Sequence, residues 1–242
     1  MSNVLVHRAL ENSNAKMVKT VSTTSDDPYV RNLLEKISEG KHVMSLSKGE
    51  TIFSQGDNSD AVYFVQTGRV KVSVVSVTGK EGVLAILGPH GVLGSEALVG
   101  QSFRSNTATA LEPSIVFRVE KRAMLRALSA QPDLSERFMA LLLKRNIGLE
   151  EDLCDQLFNQ SEKRLARVLL KLARPDESDG GPVARIPNLS HETLAGMVGT
   201  TRSRITHFMS KFRKMGMVEY SKHLPGHVAL KTERLTGVLS QG

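Results

Sequence analysis

The stretch LSHETLAGMVGTTRSRITHFMSKFRKMGMV, residues 189–218, decides the fold of the last third of the chain. Leu194 and Val198 predict the apolar face of a short helix, and Gly199-Thr200-Thr201 predicts a tight turn with a hydroxyl cap. A second helix is expected from about Arg202, with an apolar face made of Ile205, Phe208, Met209 and Phe212. This order is typical of a helix-turn-helix. The alternative is an ordinary helical hairpin with a basic surface.

The outward face of the second helix carries side chains that suit DNA. In a helix-turn-helix the start of this helix enters the major groove, where Arg pairs with guanine and small polar side chains read other base edges. A wing is predicted from Glu219-Tyr220 through Val228-Ala229-Leu230. Double-stranded DNA is therefore the expected partner. The predicted contact residues are Thr200, Thr201, Arg202, Ser203, Arg204, Thr206, His207 and Lys211.

The charge of the chain is distributed in agreement with this assignment. The 242 residues carry a formal net charge of +7. Residues 159–242 hold 14 Lys and Arg against 7 Asp and Glu, whereas residues 1–158 hold 18 of each sign. All the excess positive charge thus lies beside the predicted helix-turn-helix, as expected for a polyanion-binding module joined to a neutral one.

An all-β region is predicted from Lys48 to Val119. Glycines recur there at intervals typical of short strands joined by turns. The segment Arg69 to Val74 alternates strictly between polar and apolar residues, which predicts a strand with one buried face. Hairpin turns are predicted at 66–69 and 77–80. A small barrel or jelly-roll follows from these features.

A long helix is predicted to open at Gln131-Pro132-Asp133 and to run to about Phe158. Apolar residues at 3-4-3-4 spacing form a coiled-coil seam with one polar position: Met139, Leu142, Asn146, Leu149 and Leu153. Phe138, Leu141 and Ile147 place apolar groups on other faces as well. We therefore expect this helix to pack against its own β domain and against a second copy of the chain. A helix buried inside a monomer is the alternative.

Several classes of protein are excluded by what the sequence lacks. It has no apolar run long enough to span a bilayer and no secretory signal, so a cytoplasmic protein is expected. Its single cysteine, Cys154, excludes multi-cysteine metal cages, and no H-x-H motif supports a metal barrel. No nucleophile motif is present. We predict neither a metal site nor an enzyme.

Three segments of the β region resemble the cyclic-nucleotide-binding domain of the CRP/FNR family of bacterial transcription regulators. They are Gly49 to Asp57, Tyr63 to Val70, and Gly94-Ser95-Glu96-Ala97-Leu98 followed by Arg104-Ser105. The resemblance spans about residues 29–235. It implies an α+β protein with an N-terminal jelly-roll-like β-roll, a long dimerisation helix and a C-terminal winged helix-turn-helix. The expected divisions are a flexible extension (1–28), the cyclic-nucleotide-binding β-roll (29–131), the dimerisation helix (132–158) and the DNA-binding domain (159–242).

The resemblance also implies an allosteric ligand, cAMP or cGMP, and a homodimer. In this family an Arg-Ser/Thr pair holds the cyclic phosphate, and Arg104 and Ser105 match it; a surface loop arginine is the alternative. The family's Gly-Glu pair at the ribose reads Gly94-Ser95-Glu96, which leaves open whether Ser95 or Glu96 takes that place. Leu149 and Glu150 match the two base-contacting positions of the long helix. Glu150 can only accept hydrogen bonds, so both bases stay possible, as does a solvated Glu150.

Two departures from the family bear on specificity. Arg202 matches the family's leading arginine, but Ser203 replaces the acidic residue that usually follows, so the operator sequence is open. The loop at 174–182 occupies the position where the family contacts RNA polymerase, although its sequence differs.

The remaining alternative is a ligand-independent DNA-binding protein whose β-roll is an orphan or a dimerising scaffold.

Overall fold

The computed structural model describes residues 37, 39–173, 183–220 and 226–240. The extension at 1–28, most of the segment at 29–39 and the loop at 174–182 lie outside the described residues. Within the described ranges, no helix combines the length and apolarity that crossing a membrane requires.

Two antiparallel four-stranded sheets form the N-terminal domain. One has the order β1-β8-β3-β6 and the other β2-β7-β4-β5. Their inner faces enclose a core that includes Phe53, Tyr63 and Val72. The strands are β1 (Lys41–Leu46), β2 (Thr51–Phe53), β3 (Ala61–Thr67), β4 (Val70–Val75), β5 (Glu81–Leu87), β6 (Val92–Leu93), β7 (Thr107–Ala110) and β8 (Ser114–Glu120).

Three details differ from the sequence-based expectations. The β structure begins at Lys41 rather than Lys48, because β1 pairs with β8 along its whole length. The turn at 66–69 joins β3 to β4, which belong to different sheets, so it is not a hairpin; the turn at 77–80 does join the paired strands β4 and β5. In β4 the polar residue Ser73 is only 2% exposed, so the alternation along this strand does not separate buried from solvated residues.

Two helices follow the sheets. Helix α1 spans Lys121–Ala130, and the long helix α2 spans Pro132–Phe158, with Pro132 at its first turn as the sequence predicts. Leu134 and Phe138 of α2 are buried in a cluster with residues of α1, β3 and β8. The helix therefore packs one face against its own β-roll.

Away from its contact with the β-roll, α2 carries exposed apolar side chains, which we call the apolar stripe: Met139, Leu143, Ile147, Leu149, Leu153 and Leu157. Of the predicted seam residues, Met139, Asn146, Leu149 and Leu153 are exposed, and Leu142 is half-buried against the β-roll. In a single chain an apolar stripe of this length faces water, which is the condition that favours a covering partner.

The C-terminal domain combines helices with a three-stranded sheet of order β10-β11-β9. Leu165, Ile205, Phe212 and Leu230 are fully buried in its core. The predicted α+β architecture of β-roll, long helix and winged helix-turn-helix is confirmed. Its elements are α3 (Ser161–Leu172), β9 (Val183–Pro187), α4 (His191–Val198), α5 (Arg202–Lys214), β10 (Val218–Tyr220), β11 (His227–Lys231) and α6 (Thr232–Ser240).

Candidate DNA-reading face and ligand pocket

The turn between α4 and α5 is built by three consecutive residues. Gly199 ends α4 with φ of 67°, a left-handed conformation that glycine adopts without steric cost. Thr201 caps α5, because its hydroxyl accepts a hydrogen bond from the Arg204 backbone N–H. Ser190 caps α4 in the same way through the Thr193 N–H. Helix α4 thus ends and α5 begins where the sequence predicts.

The outward face of α5 is solvated. Ile205, Phe208, Met209 and Phe212 point into the core, as their spacing predicts. On the other side the predicted reading residues form one exposed surface, which we call the reading face: Thr201, Arg202, Ser203, Arg204, Thr206, His207 and Lys211. Thr200 is half-buried in the turn. Because Arg202, Ser203 and His207 are exposed at the start of α5, they are accessible to base edges.

Besides Thr201, which caps α5, the side chains of Thr206 and Lys211 have polar partners within the domain. Lys211 Nζ lies 2.7 Å from Glu162 Oε1. Thr206 Oγ1 donates to the Arg202 carbonyl oxygen and lies 2.9 Å from His191 Nδ1. Contact with DNA by Lys211 therefore requires exchange of an ion pair, whereas Arg202 keeps its guanidinium in solvent.

Arg164 connects the end of α2 to the helix-turn-helix. Its Nη1 donates to the Asn159 carbonyl oxygen at 2.8 Å, and its Nε donates to the Val198 carbonyl oxygen at 2.9 Å. Asn159 caps α2 and Val198 is the last residue of α4. One guanidinium thus satisfies backbone acceptors at the ends of two helices, so the joint between them is stiff.

The pocket of the β-roll is organised around Arg104, which is 2% exposed. Its Nη2 donates to the Ala61 carbonyl oxygen at 2.7 Å and its Nη1 to the Gly94 carbonyl oxygen at 3.2 Å. The guanidinium carbon lies 4.5 Å from the ring centroid of Phe53 and 5.4 Å from that of Tyr63, within range of cation–π attraction. Arg104 is therefore a buried cation, unlike a loop arginine in solvent.

One donor of this buried cation has no partner. Among the described residues, no acceptor satisfies Arg104 Nε. A buried, unpaired donor of a charged group costs more than about 1 kcal/mol. The unpaired N–H marks a place where an anion would complete the hydrogen bonding of the guanidinium.

The residues around Arg104 differ in how they are engaged. Glu96 Oε1 lies 3.3 Å from Arg104 Nη1, and the Glu96 side chain is 21% exposed. Ser95 lies in the same 3-10 helix, Ser95–Val99, which starts after Gly94. Ser105 is exposed, and its hydroxyl accepts a hydrogen bond from Asn106 Nδ2. Of the two candidates, the Glu96 carboxylate, and not Ser95, thus contacts the Arg104 guanidinium.

The sequence analysis did not identify Arg145 of α2 as a residue near the pocket. Its Nη1 donates to the Val92 carbonyl oxygen at 2.8 Å, which ties the middle of α2 to the strand that leads into Gly94. Burial lowers the pKa of the Arg145 guanidinium, and the Glu96 carboxylate opposes this shift. An arginine one turn before Leu149, on a helix expected to border the pocket, was the signal available in the sequence.

Leu149 and Glu150 lie one turn further along α2, and both are exposed. Glu150 Oε1 accepts a hydrogen bond from Asn146 Nδ2 at 2.8 Å. The one polar position of the predicted seam and the predicted base-contacting carboxylate are therefore paired. Arg145 brings this part of α2 close to the pocket wall, but no described contact joins Leu149 or Glu150 to Arg104.

These features define a class of protein: a β-roll joined by a long helix to a winged helix-turn-helix. The profile of the cyclic nucleotide-binding domain matches residues 43–131, and that of the Crp-like helix-turn-helix domain matches residues 163–236. The chain therefore belongs to the CRP/FNR family, whose members are DNA-binding transcription regulators and not enzymes.

Two relatives illustrate the range of similarity. The cyclic AMP receptor protein of Thermus thermophilus is 32% identical over 200 residues, covering 81% of this chain and 86% of that protein. The CRP-like cAMP-activated global transcriptional regulator of Mycobacterium tuberculosis is 26% identical over 172 residues, covering 71% of this chain and 77% of that protein.

A solved structure shares the fold at lower identity. FixK2 from Bradyrhizobium japonicum superposes with a TM-score of 0.70 and 19% sequence identity, covering 81% of this chain and 96% of that chain. The similarity extends over both domains and the connecting helix.

Proposed function

We propose that this regulator is a homodimer that binds a cyclic nucleotide, cAMP or cGMP, in its β-roll and a palindromic operator through two reading faces. The observation that supports binding of such a ligand is the unpaired Nε of the buried Arg104. A cyclic phosphate supplies the anionic acceptor that this donor lacks, and the Ser105 hydroxyl, exposed next to it, adds a charge-assisted hydrogen bond. The names of the two relatives support a cyclic nucleotide as the ligand.

The charge of the pocket matches a single phosphodiester. Arg104 and Arg145 carry two positive charges, and Glu96 lies 3.3 Å from the first and acts on the second. The net charge of these three side chains is +1, which one phosphodiester anion neutralises. Leu149 and Glu150 are the residues that would meet the base. A carboxylate at 150 accepts hydrogen bonds from the adenine amino group or from guanine N1–H and N2–H₂.

A homodimer follows from the apolar stripe of α2. Leu149 is 49% exposed and Leu153 is 59% exposed in the single chain, and both belong to the predicted seam, which has the 3-4 spacing of a two-stranded coiled coil. In a two-fold dimer the two reading faces contact half-sites about 34 Å apart, one turn of DNA. The ligand can favour this arrangement only through a higher affinity for it than for the others.

The ligand is tested by calorimetric titration of the full chain with cAMP and, separately, with cGMP. We expect micromolar binding of at least one, weakened at least tenfold in Ser105→Ala, whose exposed position leaves the fold intact. Glu150→Gln is expected to change the ratio of the cAMP and cGMP affinities. Glu151→Gln, the adjacent exposed carboxylate, serves as the matched control and leaves the ratio unchanged.

The second candidate is a ligand-independent DNA-binding protein. It is favoured by the three acceptors that Arg104 already has in Ala61, Gly94 and Glu96, which give the guanidinium a purely structural role. Absence of heat with both nucleotides, together with a blank displacement assay and unimpaired DNA binding, would establish this candidate instead.

The dimer is tested by sedimentation of Leu153→Asp, which places a charge in the apolar stripe. We expect this variant to sediment as a monomer at concentrations where the wild type is a dimer. Leu125→Asp changes an exposed leucine of α1, outside the stripe, and should remain dimeric. A dimeric Leu153→Asp variant would contradict assembly through α2.

A further inference from the structure

The outer face of the β4–β5 hairpin carries a buried polar residue. Ser73 is 2% exposed, although it follows the inward-facing Val72 and therefore lies on the opposite face of the sheet. Ser73 pairs directly with Val83 of β5, so the two side chains share this outer face. Helix α4 of the DNA-binding domain packs against β5. The face is thus covered by the other domain of the same chain.

The contact is close because α4 has a glycine there. A Cβ at position 196 would lie 3.0 Å from Val83 Cγ2 and 3.4 Å from the Val83 backbone nitrogen. Glycine in a helix interior costs about 1 kcal/mol of stability relative to alanine. The close approach of α4 to β5 explains why glycine is present at position 196, because a larger residue would collide with Val83.

The strand is shaped for this contact by a β-bulge. Val72 pairs with Ala85 and Ser73 with Val83, so Leu84 is an extra residue in β5, and it is 53% exposed. Bulges redirect side chains and bend the edge of a sheet. Here the bulge brings Val83 onto the outer face, at the end of the edge strand that α4 covers.

The interface is small and leaves the reading face open. The two domains also line a cleft of about 780 Å³, with Lys48 and Glu112 on one side and His191 and Tyr220 on the other. Arg202 and His207 remain exposed. The α4–β5 contact is therefore compatible with DNA binding and local enough to be broken by one side chain.

We propose that the outer face of the β4–β5 hairpin around Ser73 and Val83 is a docking surface for α4, which fixes the orientation of the DNA-binding domain on the β-roll. A second connection, besides the Arg164 joint at the end of α2, then determines where the reading face points. The expected effect on operator recognition rests on the proposed DNA-binding function. The docking of α4 on the β-roll does not depend on that function.

The orientation is measured by pulsed electron–electron resonance between nitroxides at Arg122 and Arg213, both exposed, in a Cys154→Ser background. Labelled protein is diluted with unlabelled protein so that distances within one chain dominate. We expect one narrow distance distribution in the otherwise unchanged chain. Gly196→Leu should shift or broaden it, because the leucine cannot fit against Val83.

A suppressor pair makes the test specific. Gly196→Ala should broaden the distribution slightly, and adding Val83→Ala should restore it, because that change removes the methyl group at 3.0 Å. Gly237→Ala is the matched control: it lies in α6 of the same domain, with nothing within 4 Å of its Cβ position, and should have no effect. Should Gly196→Leu fail to fold, Val83→Asp breaks the same contact from the β-roll side.

The functional arm uses fluorescence anisotropy with a duplex that the wild type selects from random DNA. Gly196→Leu should lower the affinity for this duplex at least fivefold while binding to unrelated DNA at low salt is unchanged, because the basic surface is intact. Distance distributions identical to wild type in both Gly196→Leu and Val83→Asp would overturn the docking surface. Altered distances with unchanged affinity for the selected duplex would overturn its role in recognition.

Discussion

The two functional regions of this regulator are built in opposite ways. The reading face consists of seven exposed side chains from one short segment, residues 201–211, and lies on a helix whose other side is buried. The pocket collects Arg104, Glu96, Ala61 and Arg145 from four separate segments and buries the central guanidinium. In the first region most side chains proposed to bind DNA lie outside the core that stabilises α5. In the second the side chain proposed to bind the ligand is itself buried in the core.

This difference has a physical origin. A helix exposes one side chain in every few residues to solvent without any loss of packing, so the reading face can change while the core of α5 remains. A buried cation must instead be matched by acceptors and ring faces before any ligand arrives. Substitutions should therefore separate stability from DNA affinity on α5 and fail to separate stability from ligand affinity at Arg104.

The largest expected effect is that of Arg104→Ala. Loss of the guanidinium removes the Arg104 donor from the Ala61 carbonyl oxygen and one of the two donors of the Gly94 carbonyl oxygen, which also accepts from the Ala97 N–H. Together with the cavity left in the core, this should lower the free energy of unfolding of the β-roll by about 3 kcal/mol. The measurement is the first transition in a calorimetric scan.

Arg118→Ala is the matched control in the same domain, because the Arg118 side chain is 25% exposed and pairs with Asp60 at the surface. Its cost should be below about 1 kcal/mol. Equal costs for the two variants would mean that burial does not distinguish the pocket arginine.

Arg202→Ala should act on DNA affinity alone. Loss of one bidentate contact to guanine is worth about 1–3 kcal/mol, a roughly 5- to 150-fold weaker Kd for the selected duplex. The thermal midpoint should not move, because Arg202 is exposed. Anisotropy and a thermal melt on the same samples provide the measurement.

Arg122→Ala removes the same charge from α1 of the β-roll and should leave the affinity for DNA unchanged. A fall in the thermal midpoint of Arg202→Ala would show that the reading face contributes to stability after all.

Thr201→Ala lies between these extremes. The Thr201 hydroxyl accepts a hydrogen bond from the Arg204 N–H, and loss of such a cap costs about 1 kcal/mol. The midpoint of the second calorimetric transition should fall, and Thr201→Ser should restore it. If Thr201→Ser lowered the midpoint as much as Thr201→Ala, the cap would not be the cause.

The smallest effect concerns pH. Hydrogen bonds from Lys71 and then Ser73 lower the pKa of the Glu81 carboxylate below its ordinary value of 4.5. A lowered folded-state pKa stabilises the fold above pH 4.5, and this contribution is lost as the pH falls through the folded-state value. Because the Glu81 side chain is 44% exposed, solvent screening limits the effect to below about 0.5 kcal/mol.

Glu81→Gln should therefore reduce stability slightly at pH 7 and flatten its decline below pH 4.5, as measured by urea unfolding across pH. A decline as steep as in the wild type would show that another carboxylate is responsible.

The sequence predicted the regions where local periodicity controls the structure. The helix-turn-helix, including the buried face of α5, and the start of α2 at Pro132 follow from spacing and capping rules. The prediction failed where tertiary contacts override a pattern. Ser73 occupies a position that alternation assigns to solvent, but it is buried on a face that α4 covers.

The pocket shows the same limit. The resemblance to a family indicated Arg104, but its inward hydrogen bonds to Ala61 and Gly94 depend on strands far apart in sequence. Arg145 carried no motif, and its contact with Val92 depends on how α2 lies on the β-roll. Contacts between residues so far apart in the chain cannot be predicted from a short segment of sequence.

The Arg164 joint gives α2 the properties of a lever. The helix has 27 residues and is therefore about 40 Å long, and its far end is hydrogen-bonded through Arg164 to the end of α4. From Arg145, where α2 meets the pocket, the helix extends another 13 residues, or about 20 Å, to Phe158. A tilt of about 10° at Arg145 would move that end by about 3.5 Å, close to the 3.4 Å rise of one base pair, and would shift a reading face by one step along DNA.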